Sequence, residues 1–374
     1  MYGFAFASLV ALAACAPQRG GRQRATAQQQ AAQIPQGISQ ATDGSMILDA
    51  TVKINQLPIR FKIAAAAGQF TAASGVPGAA AASGANGTMG VNVLLHGDGG
   101  QSFFDFPNQN IQANTMGVAL LAPNSNLFWG GGSGLNRTDG VAHAQAVSDF
   151  VTQAMPQLVA FDAANVKFTG VSGGSLLMSG FFIPAQMQNF ANSAAELNCG
   201  AMPPQVDFAN ASAVMNTLRI HYQSTQSELA LLQGAIPQAV VAYEQLATNA
   251  GLGAAQINAL QTVDNTPQGG HCEFDGKDFV SGVQTMLTSY SNVVQGGDGV
   301  VAGLGAPSKG NVLTGVVGNE KLKFVGGQRK RGVESMVVKR WAEGLVPRQR
   351  RRRQDIVVEE AGVAMLACDR MRCN

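Results

Sequence analysis

The sequence predicts an α/β fold, a mostly parallel central sheet with helices on both faces. Three observations predict it. Val91-Asn-Val-Leu-Leu95 and Val118-Ala-Leu-Leu121 are nearly continuous apolar runs, as expected of strands covered on both sides. Segments of helical period fall between such runs, which is the alternation that builds a parallel sheet. The composition, 46% hydrophobic and 13% charged with 45 glycines in 374 residues, suits a folded core rather than a disordered chain.

Taken in order, residues 1–16 are a short apolar stretch ending in small residues, expected to be a secretory signal peptide although it has no Lys or Arg. Leu12-Ala13-Ala14-Cys15 also resembles a lipobox, in which Cys15 would be lipidated. Residues 17–44 read as a polar low-complexity linker. A globular domain is expected over 45–300. It opens with a β-hairpin in which Leu48, Val52, Ile54, Ile59, Phe61 and Ile63 alternate with polar residues around Asn55-Gln-Leu-Pro58. A long loop over 64–90 leads to the strand at 91–95, and a second strand ends at Leu121. Val147, Phe150, Val151, Ala154 and Leu158 then mark a helix with which Pro156 interferes.

A strand over 166–169, a helix over 175–182 and strands at 196–199 and 218–222 follow. A helix carrying Val240, Tyr243 and Ala247, a strand over 260–263 and a helix carrying Phe279, Val283, Met286 and Tyr290 complete the alternation. Residues 301–326 are expected to form a hairpin extension, with Gly318-Asn319 as its turn. Residues 327–374 read as a basic, disordered tail or a processed extension.

Charge follows the same division. The chain carries 25 Lys+Arg and 23 Asp+Glu, a net +2, but 327–374 holds 12 basic and 6 acidic residues and 25–326 holds 10 basic and 17 acidic. The body is therefore acidic, which excludes a basic nucleic-acid-binding domain there. No apolar run beyond the N-terminus approaches the ~20 residues of a transmembrane helix. Of five cysteines, only Cys199 and Cys272 lie in the body, and one disulfide between them is the simplest arrangement in a secreted protein. Asn86, Asn136 and Asn210 each begin an Asn-x-Ser/Thr glycosylation sequon.

The chemistry concentrates at Gly170-Val-Ser172-Gly173-Gly174. Gly-x-Ser-x-Gly lets a tight strand-to-helix turn lift a serine hydroxyl clear of a sheet, and the strand before it and helix after it supply the context the motif needs. Upstream, His96-Gly97-Asp98-Gly99-Gly100 ends a buried strand. A turn there can offer the Asp98 N–H as one oxyanion donor, with Gly173 N–H as the other. It is no dinucleotide fingerprint, because Ser102 stands where the third glycine belongs, and no P-loop ending occurs.

Of four histidines, His96 belongs to that turn, His143 to a helix and His221 to a strand interior. His271, in Gly269-Gly-His271-Cys272, follows the last strand and is the expected base. Its orienting acid should lie between Ser172 and His271. Glu196, Asp207, Glu228, Glu244 and Asp264 qualify by order; Glu228, just beyond a strand end, is preferred, with Asp264 as the alternative. Trp129 either lines the site or packs beneath its loop. No metal or organic cofactor is expected, since neither the histidines nor Asp275-Gly-Lys-Asp278 have ligand spacing.

These motifs resemble the α/β-hydrolase superfamily, and within it secreted esterases of the polyhydroxybutyrate depolymerase and feruloyl esterase group, of fungal extracellular type. The resemblance spans about 48–290. It implies Ser172 as nucleophile, His271 as base, Glu228 as orienter and Asp98 and Gly173 as backbone donors, although that group more commonly has Asp at the acid position. The expected function is a secreted serine esterase acting on small or polymer-linked esters. The other expectations are an inactive secreted protein of the same fold that binds carbohydrate or a surface polymer, and a surface protein anchored through Cys15.

Overall fold

The computed structural model describes residues 29–30, 33–105, 111–305 and 310–325. The expected signal peptide, Cys15 and the whole basic tail lie outside them. Residue contacts divide the chain into two units, 1–327 and 328–374, and every described residue belongs to the first.

Ten strands form one sheet: β1 (Gly37–Gln40), β2 (Met46–Ile54), β3 (Leu57–Ala65), β4 (Gly90–Leu95), β5 (Thr115–Leu121), β6 (Val166–Val171), β7 (Ala194–Asn198), β8 (Arg219–Gln223), β9 (Gln261–Asp264) and β10 (Thr314–Gly315). Their spatial order is β1-β2-β3-β5-β4-β6-β7-β8-β9-β10. The six strands β5, β4, β6, β7, β8 and β9 run parallel, and the strands at both edges are antiparallel.

The hairpin β2–β3 turns on Asn55 and Gln56, both at positive φ (48° and 68°), the geometry that matches the twist of its strands. β4, β5, β6 and β7 are buried along their whole length, which explains why their sequences are apolar without alternating. Successive residues still face opposite sides. Val93 and Leu95 join the larger core with Val147, Phe150, Leu177 and Tyr243, whereas Leu94 joins a second core with Val283, Met286 and Tyr290. The two cores are the two helix-covered faces.

Three expectations are corrected. Residues 17–44 are not wholly linker, because Gly37–Gln40 pair with β2. All four residues of β1 are exposed, so backbone hydrogen bonding forms this edge strand without any hydrophobic pattern to announce it. Pro156 does not end its helix: the α-helix Gly140–Asp149 passes through a π turn at Phe150–Ala154 and resumes as Met155–Leu158, so the change of hydrogen-bond spacing carries the helix past Pro156. Among the described residues of 301–326, no hairpin turns on Gly318-Asn319. Thr314–Gly315 instead pair with β9, and the Gly318 region is held by side chains, with Val317 N–H donating to Asn258 Oδ1 at 2.7 Å and Gly318 N–H to Glu320 Oε1 at 2.7 Å.

The carboxyl ends of the parallel strands fall in register, Leu95 beside Gly170, Val171 beside Asn198, Asn198 beside Gln223 and Gln223 beside Asp264. The chain leaves β4 toward β5 on one side and β6 toward β7 on the other. The crevice between the ends of β4 and β6 is therefore the switch point where open parallel sheets place their sites.

Candidate active site

Ser172 follows β6 and precedes the helix that begins at Gly173–Leu177, with φ 50° and ψ −110°. A side chain in that backbone region is strained, and here the strain is held by Ser172 N–H donating to Asn198 O at 2.8 Å. Glycines flank it because backbone lies against them. A Cβ on Gly170 would fall 2.7 Å from the Ser175 backbone, and one on Gly174 would fall 2.1 Å from Leu95 O. Gly174→Ala is accordingly expected to leave little folded protein, measured as soluble yield and as the unfolding midpoint of what remains; an unchanged midpoint would mean that the helix can move away from β4. A serine on a strained strand-to-helix turn, at the switch point of a mostly parallel sheet, is the geometry of the nucleophile elbow. The fold is α/β-hydrolase-like.

His271 lies on the loop between β9 and the helix Phe279–Leu287. Its Nε2 is 2.9 Å from Ser172 Oγ, and its Nδ1 is in close contact with Glu228 Oε1. The two contacts fix the roles of the ring atoms: Nδ1–H donates to the carboxylate, and Nε2 accepts from the serine. The Glu228 side chain is fully buried while that of His271 is 20% exposed, so the imidazole is reachable from solvent and the carboxylate is not. Glu228 Oε1 also accepts from Leu229 N–H at 2.8 Å, which anchors the carboxylate at the chain turn leading into the helix Ala230–Asn249. Asp264 is occupied elsewhere. Its Oδ1 accepts from Thr266 N–H and Oγ1 and its Oδ2 from Gln223 Nε2, so the alternative acid is not the one beside His271.

Cys199 and Cys272 form the expected disulfide, with Cα atoms 5.1 Å apart across 73 residues. Cys199 follows β7, and a Cβ on the next residue, Gly200, would fall 2.7 Å from Ser172 O. The bridge thus ties the loop of His271 to backbone that packs on the serine. Replacing both cysteines by serine is expected to lower stability by about 2–4 kcal/mol. Chemical unfolding of the two proteins checks this, and the loss should be reproduced in the wild type by a reductant. Cys199, His271 and Cys272 bring ligand-type atoms together, but both sulfurs are held in the disulfide and are not thiolate donors.

The remaining histidines are structural. His96 is fully buried, and its Nδ1–H donates to Gly97 O at 2.6 Å while Nε2 accepts from Ala122 N–H at 2.9 Å. Burial lowers its pKa to about 4, so it stays neutral and pins the Gly97 turn to the end of β5. Nδ1 of His143 accepts from Gly130 N–H at 2.9 Å, and burial lowers its pKa as well. His221 contacts Thr262 Oγ1 and Gln223 Oε1 within the sheet. Trp129 is fully buried between the His96 and His143 rings, beneath its loop rather than in the site.

The Gly97–Gly99 turn lies against the elbow. A Cβ on Gly97 would be 3.4 Å from Ser172 Cβ, and one on Gly173 would be 3.2 Å from Asp98 N and 2.0 Å from Asp98 Oδ1. The Asp98 and Gly173 N–H groups have no acceptor among the described residues. Phe279, 5.9 Å from the His271 ring and within 3.5 Å of the Gly97 Cβ position, forms one wall, where the sequence marked it only as a periodic helix position. Arg137 was also missed, having been read only as the middle of a glycosylation sequon. Asn86, Asn136 and Asn210 are all exposed.

No protein-family model and no curated protein matches the sequence. Solved structures resemble it at low identity. Among them are a fungal esterase from Rhizomucor miehei, 11% identical with a TM-score of 0.43, covering 68% of this chain and 85% of that one. An S-formylglutathione hydrolase from Agrobacterium tumefaciens is 13% identical with a TM-score of 0.40, covering 68% and 95%. A mutant feruloyl esterase module from Clostridium thermocellum, complexed with sinapinate, is 10% identical with a TM-score of 0.38, covering 62% and 84%.

Proposed function

We propose that the protein is a serine hydrolase that cleaves carboxylic esters outside the cell. The observation that carries this reading is the chain of contacts from Ser172 Oγ to His271 Nε2 and from His271 Nδ1 to buried Glu228. In the reaction, Ser172 Oγ attacks the ester carbonyl as its proton passes to His271 Nε2. The carbonyl electron pair moves onto oxygen, which the Asp98 and Gly173 N–H groups receive. Collapse expels the alcohol with the proton held by His271, leaving an acyl-serine. Water, deprotonated by the same nitrogen, attacks that ester and releases the acid. Glu228 keeps the ring in its Nδ1–H tautomer and stabilises the cationic imidazole that forms in each half-reaction.

A fluorophosphonate probe tests the nucleophile. It should label the wild type and not S172A; a folded wild type that resists labelling would overturn the reading. Export is supported by the Cys199–Cys272 disulfide and by the exposure of all three sequon asparagines. Mass spectrometry of the mature N-terminus should find a free terminus beyond residue 16, and a diacylglyceryl Cys15 would instead establish a lipid anchor. Within ester chemistry the motif resemblance favours phenolic-acid or hydroxyalkanoate esters, to be checked by comparing kcat/KM for feruloyl and 3-hydroxybutyryl esters with that for simple acetyl esters.

A further inference from the structure

We infer that Arg137 is a positioning residue for this reaction, clamping the turn whose Asp98 N–H receives the oxyanion; the inference rests on the hydrolase reading above. Arg137 Nη1 donates to Asp98 Oδ1 at 2.7 Å and Nη2 to Asp98 Oδ2 at 2.8 Å, a two-pronged pair that fixes the carboxylate in both direction and plane. The guanidinium side chain is 1% exposed and also donates to Trp129 O at 3.1 Å. Asp98 Oδ1 in turn fills the space where Gly173 has no side chain. One carboxylate thus links the arginine to the residue that follows Ser172.

The loop that carries Arg137 is shaped to deliver it. Gly130, Gly131 and Gly132 are consecutive left-handed residues (φ 77°, 63° and 61°). Cβ atoms there would fall 2.8 Å from Arg137 Cβ, 2.3 Å from Asp139 Oδ2 and 1.9 Å from Asn136 O. Only glycines permit so tight a return. The consequence is an arginine turned inward between two exposed neighbours, Asn136 and Thr138.

Charge gives this clamp a second effect. An Asp98 carboxylate without its partner would stand as a bare anion beside the carbonyl oxygen on which negative charge develops. Removing Arg137 should therefore slow the chemical step more than it weakens substrate binding. Steady-state hydrolysis of an aryl ester, with kcat expressed per probe-labelled Ser172, tests this. R137M should lower kcat about 100-fold, the scale of losing an oxyanion donor, while KM changes less than about threefold.

R137K, which keeps the charge but not the fork, should fall between R137M and wild type. D98N/R137M should recover at least about tenfold over R137M, because the amide keeps the shape and removes the stray charge. A clamp that only held the fold would lower the labelled fraction and leave kcat per labelled site intact, and this outcome overturns the inference. So does a double variant as slow as R137M. If R137M does not fold, R137K decides: wild-type kcat per labelled site in R137K overturns the inference. A wild type without Ser172-dependent turnover sinks the hydrolase reading and the clamp with it, whereas normal turnover in R137M sinks the clamp alone.

Discussion

S172A is expected to lower kcat for an activated ester by about a million-fold, and H271A by a similar factor. The protein carrying both substitutions should be no slower than either alone. The reason is geometric. With His271 Nε2 2.9 Å from Ser172 Oγ, the hydroxyl is a nucleophile only while that nitrogen takes its proton, so removing either partner removes the whole step. E228A should cost less, about 10⁴-fold, since a tilted or wrongly protonated imidazole still finds Nε2 near the serine part of the time. Steady-state kinetics on the four variants beside the wild type, normalised to the concentration of folded protein, checks the pattern. Costs that multiplied in the double variant would mean that Ser172 and His271 act independently, which this geometry does not allow.

E196Q should be more stable than the wild type in alkaline buffer, with the difference vanishing in acid. Glu196 lies in the middle of β7, fully buried, and the Asn198 side chain offsets only part of the cost of charging it there. Burial raises its pKa from 4.5 to about 8. The unfolded chain gives up this proton above pH 4.5, whereas the folded protein keeps it until about pH 8. The unfolded state thus binds fewer protons in that window, and stability falls as pH rises through it. The full loss is on the order of 5 kcal/mol.

A glutamine has no such proton to lose. Urea unfolding of both proteins from pH 4.5 to 8.5 should show the gap opening steadily with pH. His96 titrates in the opposite sense, destabilising the protein as pH falls from 6.5 toward about 4, but it is present in both proteins and cancels from the difference. A gap that did not change with pH would mean that Glu196 is charged or hydrated in the folded state.

Glu196 also shows where reading the sequence stops. By chain order it is one of five candidate acids, yet it is buried within a strand, close enough to Tyr290 for their charges to interact. Position alone ranks Glu228 above Asp264, and contacts separate them. Asp264 ends β9 and is the nearer to His271 in sequence, whereas Glu228 lies beyond the end of the neighbouring β8. The choice falls to Glu228 because Gln223 and Thr266 already occupy Asp264. Edge strands were equally opaque. β1 and β10 are held by backbone pairing to a finished sheet, so their side chains carry no periodic record of it.

By itself the sequence determined the alternation of strands and helices, the hairpin at Asn55, the serine elbow at Gly170–Gly174 and the cysteine pair. These are set by local periodicity, by backbone conformations open to few residue types, or by a count with a single solution. The tertiary structure decided which acid meets His271, that His96 and Trp129 are scaffold rather than site, and that Arg137 reaches Asp98. Each of these depends on side chains 26 to 99 residues apart meeting in the crevice and around it, as in the 39 residues from Asp98 to Arg137 and the 99 from Ser172 to His271. Such meetings are fixed by strand order and by the closing of glycine-rich loops, and neither leaves a mark at the residues that finally touch.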